Sequence, residues 1–420
     1  MMAMLELRGV RKIAEIGSAW ALGLLLAALL TAAGPVQAEP YMAVREGYKC
    51  SKCHVNQTGG GMRTDYARVY MGTRNAMRPG LKDSGAGAPS MDLGSGRLNP
   101  YFAVTADLRA DLTYTKIPQA KNTVDFNHAA TAQTSEAKTG QGCAGCHTSN
   151  GGGKRGEVYL QMEPAPDFAS IVISQSVTPS VSAREQYGLV QNLPMNGYVK
   201  AGLFRLPTGL NATFDEPFVH VNQGLGATVP GVETVRGQGV EMGIEPGPYF
   251  LSLSLTNPVD LSKNPSAKRV YLHGYAVGRI GLLGASYYYD PVSQDDHTHR
   301  TFSALFAGVS LGRLTGLVEV DSVTTQLTAS ESKQQALTGE LDVLLTRGQN
   351  LKLLYEAFDP DTTVTKDRRE RTSLIYEPFL TPYLQTRVGA RFNRGPGQAD
   401  LTKPDVNNAK QYFVELHFMY

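Results

Sequence analysis

Residues 102–115 read FAVTADLRADLTYT. Phe102, Val104, Ala106, Leu108, Ala110, Leu112 and Tyr114 occupy one set of alternate positions. Ala103, Thr105, Asp107, Arg109, Asp111, Thr113 and Thr115 occupy the other, which holds every charge. Successive side chains of a strand point to opposite faces, so this period of two predicts a strand well over ten residues long. A strand in a water-soluble sheet usually runs ~5–6 residues. One that crosses a bilayer needs ~9–11. The length therefore points to a membrane barrel, whose alternating strands average to the modest 42% hydrophobic content of the chain.

The pattern recurs. Leu337, Gly339, Leu341, Val343 and Leu345 oppose Thr338, Glu340, Asp342 and Thr346. The chain ends with Tyr412, Val414, Leu416, Phe418 and Tyr420 on one face and Glu415 and His417 on the other. Sixteen strands are expected, at 100–116, 155–163, 168–177, 182–191, 196–206, 237–245, 248–257, 269–278, 280–290, 301–311, 313–323, 335–347, 349–358, 370–380, 383–394 and 410–420. The connections alternate. Those around Pro164–Asp167, Glu245–Gly247, Gly278–Arg279, Gly312 and Gly348 are short. Those at 117–154, 207–236, 258–268, 291–300, 324–334, 359–369 and 395–409 are long and mostly polar. Outer-membrane barrels have an even strand number, short periplasmic turns and long external loops. The expected class is therefore all-β: an outer-membrane antiparallel β-barrel of about 16 strands over 99–420, with both chain ends in the periplasm. A large soluble sandwich or propeller is the competing architecture, and it does not account for the long–short alternation.

Upstream of the barrel, residues 1–38 read as a secretory signal. Arg8, Arg11 and Lys12 precede an apolar run from Trp20 to Ala33, and Val36-Gln37-Ala38 supplies small residues for cleavage before Glu39. A retained anchor would need ~20 apolar residues, more than this run offers. Residues 39–98 form a separate N-terminal unit and linker. Within it, Arg63–Met77 is expected to be helical, with Tyr66, Val69 and Tyr70 on one face. The Gly/Pro/Ser-rich stretch 79–97 reads as a tether. With Lys+Arg 40 against Asp+Glu 38, nothing points to nucleic acid.

Four cysteines are present, and all fall in Cys50-Ser51-Lys52-Cys53-His54 and Cys143-Ala144-Gly145-Cys146-His147. In an exported chain the alternatives are two disulfides or a metal site. Two pentapeptides of this spacing with no cysteine left over favour two covalently bound c-type haems. Thiols three positions apart reach the two vinyl groups of one haem, and the adjacent histidine becomes the proximal iron ligand. His54 and His147 take that role. Each site is followed within a few residues by three glycines, Gly59–Gly61 and Gly151–Gly153, which suit a tight turn close to a flat macrocycle. Candidate distal ligands are Met62, Met71 or Met77 for the first haem and His128 for the second, with His273 and His417 as lumenal substitutes. Asp295-Asp296-His297-Thr298-His299 is a candidate ferrous-iron site, with a solvated loop as the plainer alternative. The apolar residues of loop 207–236 suggest either a fold into the lumen or packing on the loop crown.

A leader, a c-type haem motif at Cys50–His54 and a porin-like barrel together resemble the fused cytochrome–porin family of the outer membrane of Gram-negative bacteria. The resemblance implies electron transfer between a periplasmic carrier (a cytochrome) and an extracellular donor or acceptor, best known for ferrous iron. It carries over Cys50, Cys53 and His54. The second site, at Cys143, Cys146 and His147, departs from the single-haem pattern. Set before the first strand and in the first long loop, the two sites are expected on opposite sides of the membrane, with the N-terminal unit free to plug the lumen. The competing functions are a diffusion porin gated by redox-sensing haems and a barrel-anchored haem peroxidase.

Overall fold

The computed structural model describes residues 40–77, 97–116, 123–125, 154–178, 182–210, 236–257, 268–291, 299–326, 330–396 and 408–419. Its strands are β1 (Arg97–Asn99), β2 (Phe102–Lys116), β3 (Thr123–Asp125), β4 (Lys154–Ala165), β5 (Ala169–Thr178), β6 (Ser182–Leu193), β7 (Gly197–Arg205), β8 (Arg236–Ile244) and β9 (Tyr249–Thr256). They continue as β10 (Arg269–Gly278), β11 (Gly281–Pro291), β12 (His299–Leu311), β13 (Leu314–Gln326), β14 (Glu331–Thr346), β15 (Gln349–Asp359), β16 (Arg369–Thr381), β17 (Leu384–Arg394) and β18 (Lys410–Met419). Strands β1 and β3 are short ribbons on β2, and the other sixteen form a closed antiparallel barrel. Closure runs from Lys410 opposite Lys116 to Met419 opposite Asp107. Closure leaves no unpaired edge, which is what a sheet needs to stand in hydrocarbon.

The burial pattern inverts that of a water-soluble sheet. Along β18, Tyr412, Val414, Leu416 and Phe418 face outward, while Gln411, Glu415 and His417 are buried. Leu283 and Leu305 are each 67% exposed on the outer face. The charges therefore lie inside, and buried charges must be paired. Lys352 sits between Glu340 (3.4 Å) and Glu377 (3.7 Å), and Arg371 meets Glu356 at 2.7 Å. An apolar exterior over a charged interior is the arrangement of a barrel in lipid. Among the described residues no helix is long and apolar enough to cross a membrane.

One end of the barrel carries only short turns, several of them built on left-handed residues such as Asp167, Gly247, Gly312 and Gly348. The N-terminal segment seats at this end. It comprises α1 (Pro40–Glu46), α2 (Cys50–Cys53) and α3 (Asp65–Tyr70), which runs into a wider π turn, Met71–Asn75. Arg45 Nε donates to Thr315 Oγ1 at 2.9 Å, and Lys49 Nζ donates to the Glu245 carbonyl at 3.0 Å. The Met77 amide donates to the Phe379 carbonyl, and Arg347 Nε donates to the Ala76 carbonyl. Deeper inside, Lys200 Nζ donates to Asn56 Oδ1 at 2.8 Å while paired with Glu241 at 2.8 Å. These bonds seat residues 40–77 against the barrel wall at its short-turn end.

Candidate functional site

The Cys50–His54 motif faces a cavity between the N-terminal segment and the barrel wall. Cys50 and Cys53 open and close the single turn of α2, and the His54 amide donates to the Cys50 carbonyl at 3.0 Å. The chain then loops back. His54 bridges Arg63 in antiparallel fashion, and the Val55 amide donates to the Met62 carbonyl. The loop tip is Gly59-Gly60-Gly61, at φ of 98°, 73° and 67°, a region that glycine enters without steric cost. A Cβ on Gly59 would lie 3.5 Å from Cys50 Sγ, and one on Gly61 would lie 2.7 Å from Glu185 Oε2. The Gly59 backbone therefore lies against Cys50, and the Gly61 backbone against Glu185.

Burial shapes the chemistry of the motif. It lowers the His54 pKa to about 4, with the Arg63 and Arg205 guanidiniums adding to the shift. The imidazole is therefore neutral at ordinary pH, which is the form that binds a metal. His54 Nδ1 is buried without a hydrogen-bond partner, and such an atom calls for an explanation. Burial also pushes Cys53 up to about 11 and raises Cys50. A thiol held protonated is a poor redox nucleophile, so thiol–disulfide exchange does not suit this pair.

The cavity has about 1680 Å³ of empty space, counting its open mouth. Its walls come from three sources. The N-terminal segment supplies Met42, Cys50, Cys53, His54, Arg63 and Met71. The barrel supplies Asp107, Arg109, Glu157, Arg184, Arg205, Arg387 and His417. The start of the long loop after β7 supplies Leu206, Pro207, Gly209 and Leu210. That loop reaches across the lumen: the Gly209 amide donates to Ser286 Oγ at 3.0 Å and the Leu210 amide to Glu319 Oε2 at 2.9 Å. Of the two alternatives for 207–236, its described part takes the lumenal one. A c-type haem fits these residues on three counts: two thiols at helical spacing, a buried imidazole nitrogen without a partner, and guanidiniums lining the same cavity.

Met62 is buried at 2% exposure and lines a smaller adjoining cavity instead, with Met71, Asp107 and Met419. Met71 borders both cavities, and its sulfur accepts from Asn75 Nδ2 at 3.1 Å. His417 also lines the main cavity, with Nε2 2.9 Å from Asp107 Oδ2 and Nδ1 3.0 Å from Gln385 Oε1. His273 lies on β10, bonded to Ser286 and stacked on Phe306. Met77 is exposed at the plug's end. His128, Cys143, Cys146, His147 and residues 295–298 lie outside the described residues, as do the leader 1–38 and most of the linker. The strands flanking the second motif, β3 and β4, meet the long-loop end, opposite the plug. The arginine and carboxylate wall was not singled out in the sequence. Its alternation was visible at Asp107 and Arg109, but nothing local says that these positions face Arg205 across a lumen.

No protein-family signature matches the sequence, and no curated relative does. Solved structures do. The anion-selective porin from Comamonas acidovorans superposes with a TM-score of 0.57 at 9% identity, over 76% of this chain and 99% of that one. OmpF of Salmonella typhi, solved with daunomycin, gives 0.55 at 10% identity, over 76% and 97%. A loop-deleted OmpT of Vibrio cholerae gives 0.53 at 9%, over 76% and 100%. At such identities the likeness is one of fold: this chain is a porin-like barrel.

Proposed function

We propose that this barrel stands in the outer membrane of a Gram-negative bacterium as a dihaem electron conduit. It would exchange electrons with a periplasmic cytochrome at the plugged mouth and with an extracellular donor or acceptor, such as iron, at the long-loop end. The carrying observation is the seating of Cys50, Cys53 and His54 on one lumenal cavity at the short-turn mouth. Cys50 and Cys53 would hold the haem by thioethers and His54 would ligate its iron; Cys143, Cys146 and His147 would do the same for the second. The bound group would supply a reversible one-electron couple, which the side chains lack. The chain's own residues do the rest. Burial keeps His54 neutral, the Lys200–Glu241–Asn56 contacts fix the plug to the wall, and Leu206, Pro207 and Leu210 give the cavity an apolar stretch of wall.

Intact-mass measurement and haem staining test this reading. The wild-type chain should carry two covalent haems, and Cys50→Ala and Cys143→Ala should each lose one. A chain matured in the periplasm without haem would refute it. The second reading is a diffusion porin, which the barrel's fold favours. The seated plug argues for low conductance, and an open-porin conductance in planar bilayers would decide for diffusion.

A further inference from the structure

Several guanidiniums line the cavity together with His54 and the two thiols. Arg205, at the end of β7, places Nη2 at 2.8 Å and 3.0 Å from the two oxygens of Glu157 on β4. Arg184 on β6 approaches the same carboxylate at 3.5 Å, and the Tyr159 hydroxyl donates to it as well. One carboxylate thus serves two guanidiniums. Arg63 lines the same cavity from the N-terminal segment, where its backbone forms an isolated bridge with His54. Arg63 and Arg205 both line the cavity that His54 lines. The Cys50 amide donates to the Tyr275 hydroxyl of β10 at 3.1 Å.

We propose that Arg205 of the barrel wall, with Arg63 of the plug, receives the carboxylates of the haem attached at Cys50 and Cys53 and raises its reduction potential. This rests on the haem reading above and assigns the barrel wall a part in the site. The chemistry is direct. The macrocycle's carboxylates lie on the edge away from its thioethers, and guanidinium is the side chain best matched to carboxylate. Reduction removes one positive charge from the iron, so fixed cations nearby favour the ferrous form. Glu157 opposes them, which makes the Arg205–Glu157 pair a setting device with two handles of opposite sign.

Redox titration of the purified, haem-loaded protein tests this. Arg205→Gln should weaken electron affinity about tenfold, a fall of ~59 mV for one electron. Arg205→Lys should keep most of the wild-type potential. Glu157→Gln should shift it upward, whereas general loosening of the wall would move both variants the same way. Arg313→Gln, at the exposed short-turn rim, should change nothing. Unaltered potentials in Arg205→Gln and Glu157→Gln with haem attached would overturn this inference and leave the conduit standing. A wild-type chain without covalent haem would overturn both.

Discussion

Asn56 is the best place to separate plug from barrel. It is fully buried. Its Nδ2 donates to Glu185 Oε1 at 3.2 Å, and its Oδ1 accepts from Lys200 Nζ at 2.8 Å. Asn56→Leu keeps the branched shape, though not the smaller volume, and removes both bonds to the wall along with those that Oδ1 accepts from Thr58. A hydrogen bond to a charged group contributes ~1.5–3 kcal/mol. Glu185 retains the Arg205 amide at 3.1 Å and Lys200 retains Glu241, so the low end applies. The loss is about 3 kcal/mol, or ~100-fold in the docking equilibrium. The barrel ladder is untouched, because none of these bonds belongs to it. Brief protease treatment of the detergent-solubilised protein reads the undocked fraction, since cleavage follows the open population when reclosing is fast. Heat-modified gel migration reports the barrel separately. We expect much faster cleavage within 40–77 with an intact barrel fragment. Cleavage at the wild-type rate would refute the claim that this contact seats the plug.

Two further substitutions probe the wall and the lumenal loop. Leu416 is half exposed on the outer face of β18, so Leu416→Arg should cost ~2–4 kcal/mol of folding stability in lipid, measured by urea titration in bilayers; no change would mean that this face does not meet hydrocarbon. Gly209 holds φ at 68°, and a Cβ there would fall on the Glu319 carboxylate. Gly209→Val should therefore release the loop from Ser286 and Glu319 and raise single-channel conductance, and an unchanged conductance would remove the loop as a barrier.

Much of the barrel was legible because lipid and lumen impose opposite demands on alternate residues. The expected strand at 269–278 is the observed Arg269–Gly278. The strand expected at 335–347 begins earlier, at Glu331. Ser332, Lys333 and Gln334 still pair with β13, from Thr325 to Val323, but they lie past the apolar band, where hydrogen bonding continues without a hydrophobic signal. Helix α1 was missed for a related reason. Tyr41, Met42, Val44 and Arg45 are all buried, so a short helix enclosed by the lumen shows no one-sided stripe. Cys50, Cys53 and His54 were singled out by a local motif, and the fold brings all three to one cavity. Arg205, Glu157 and Asp107 were not, because the closed sheet alone brings them to it.

Proteoliposomes test the central claim most directly. Vesicles holding a reduced, membrane-impermeant dye and the purified wild-type protein would be mixed with an external impermeant ferric chelate, and dye oxidation followed by absorbance. The conduit predicts oxidation that starts on adding the chelate and is lost in Cys50→Ala and in His147→Ala. If the dye stays reduced with both haems attached, or if Cys50→Ala conducts at the wild-type rate, electrons do not cross this barrel by way of its haem sites.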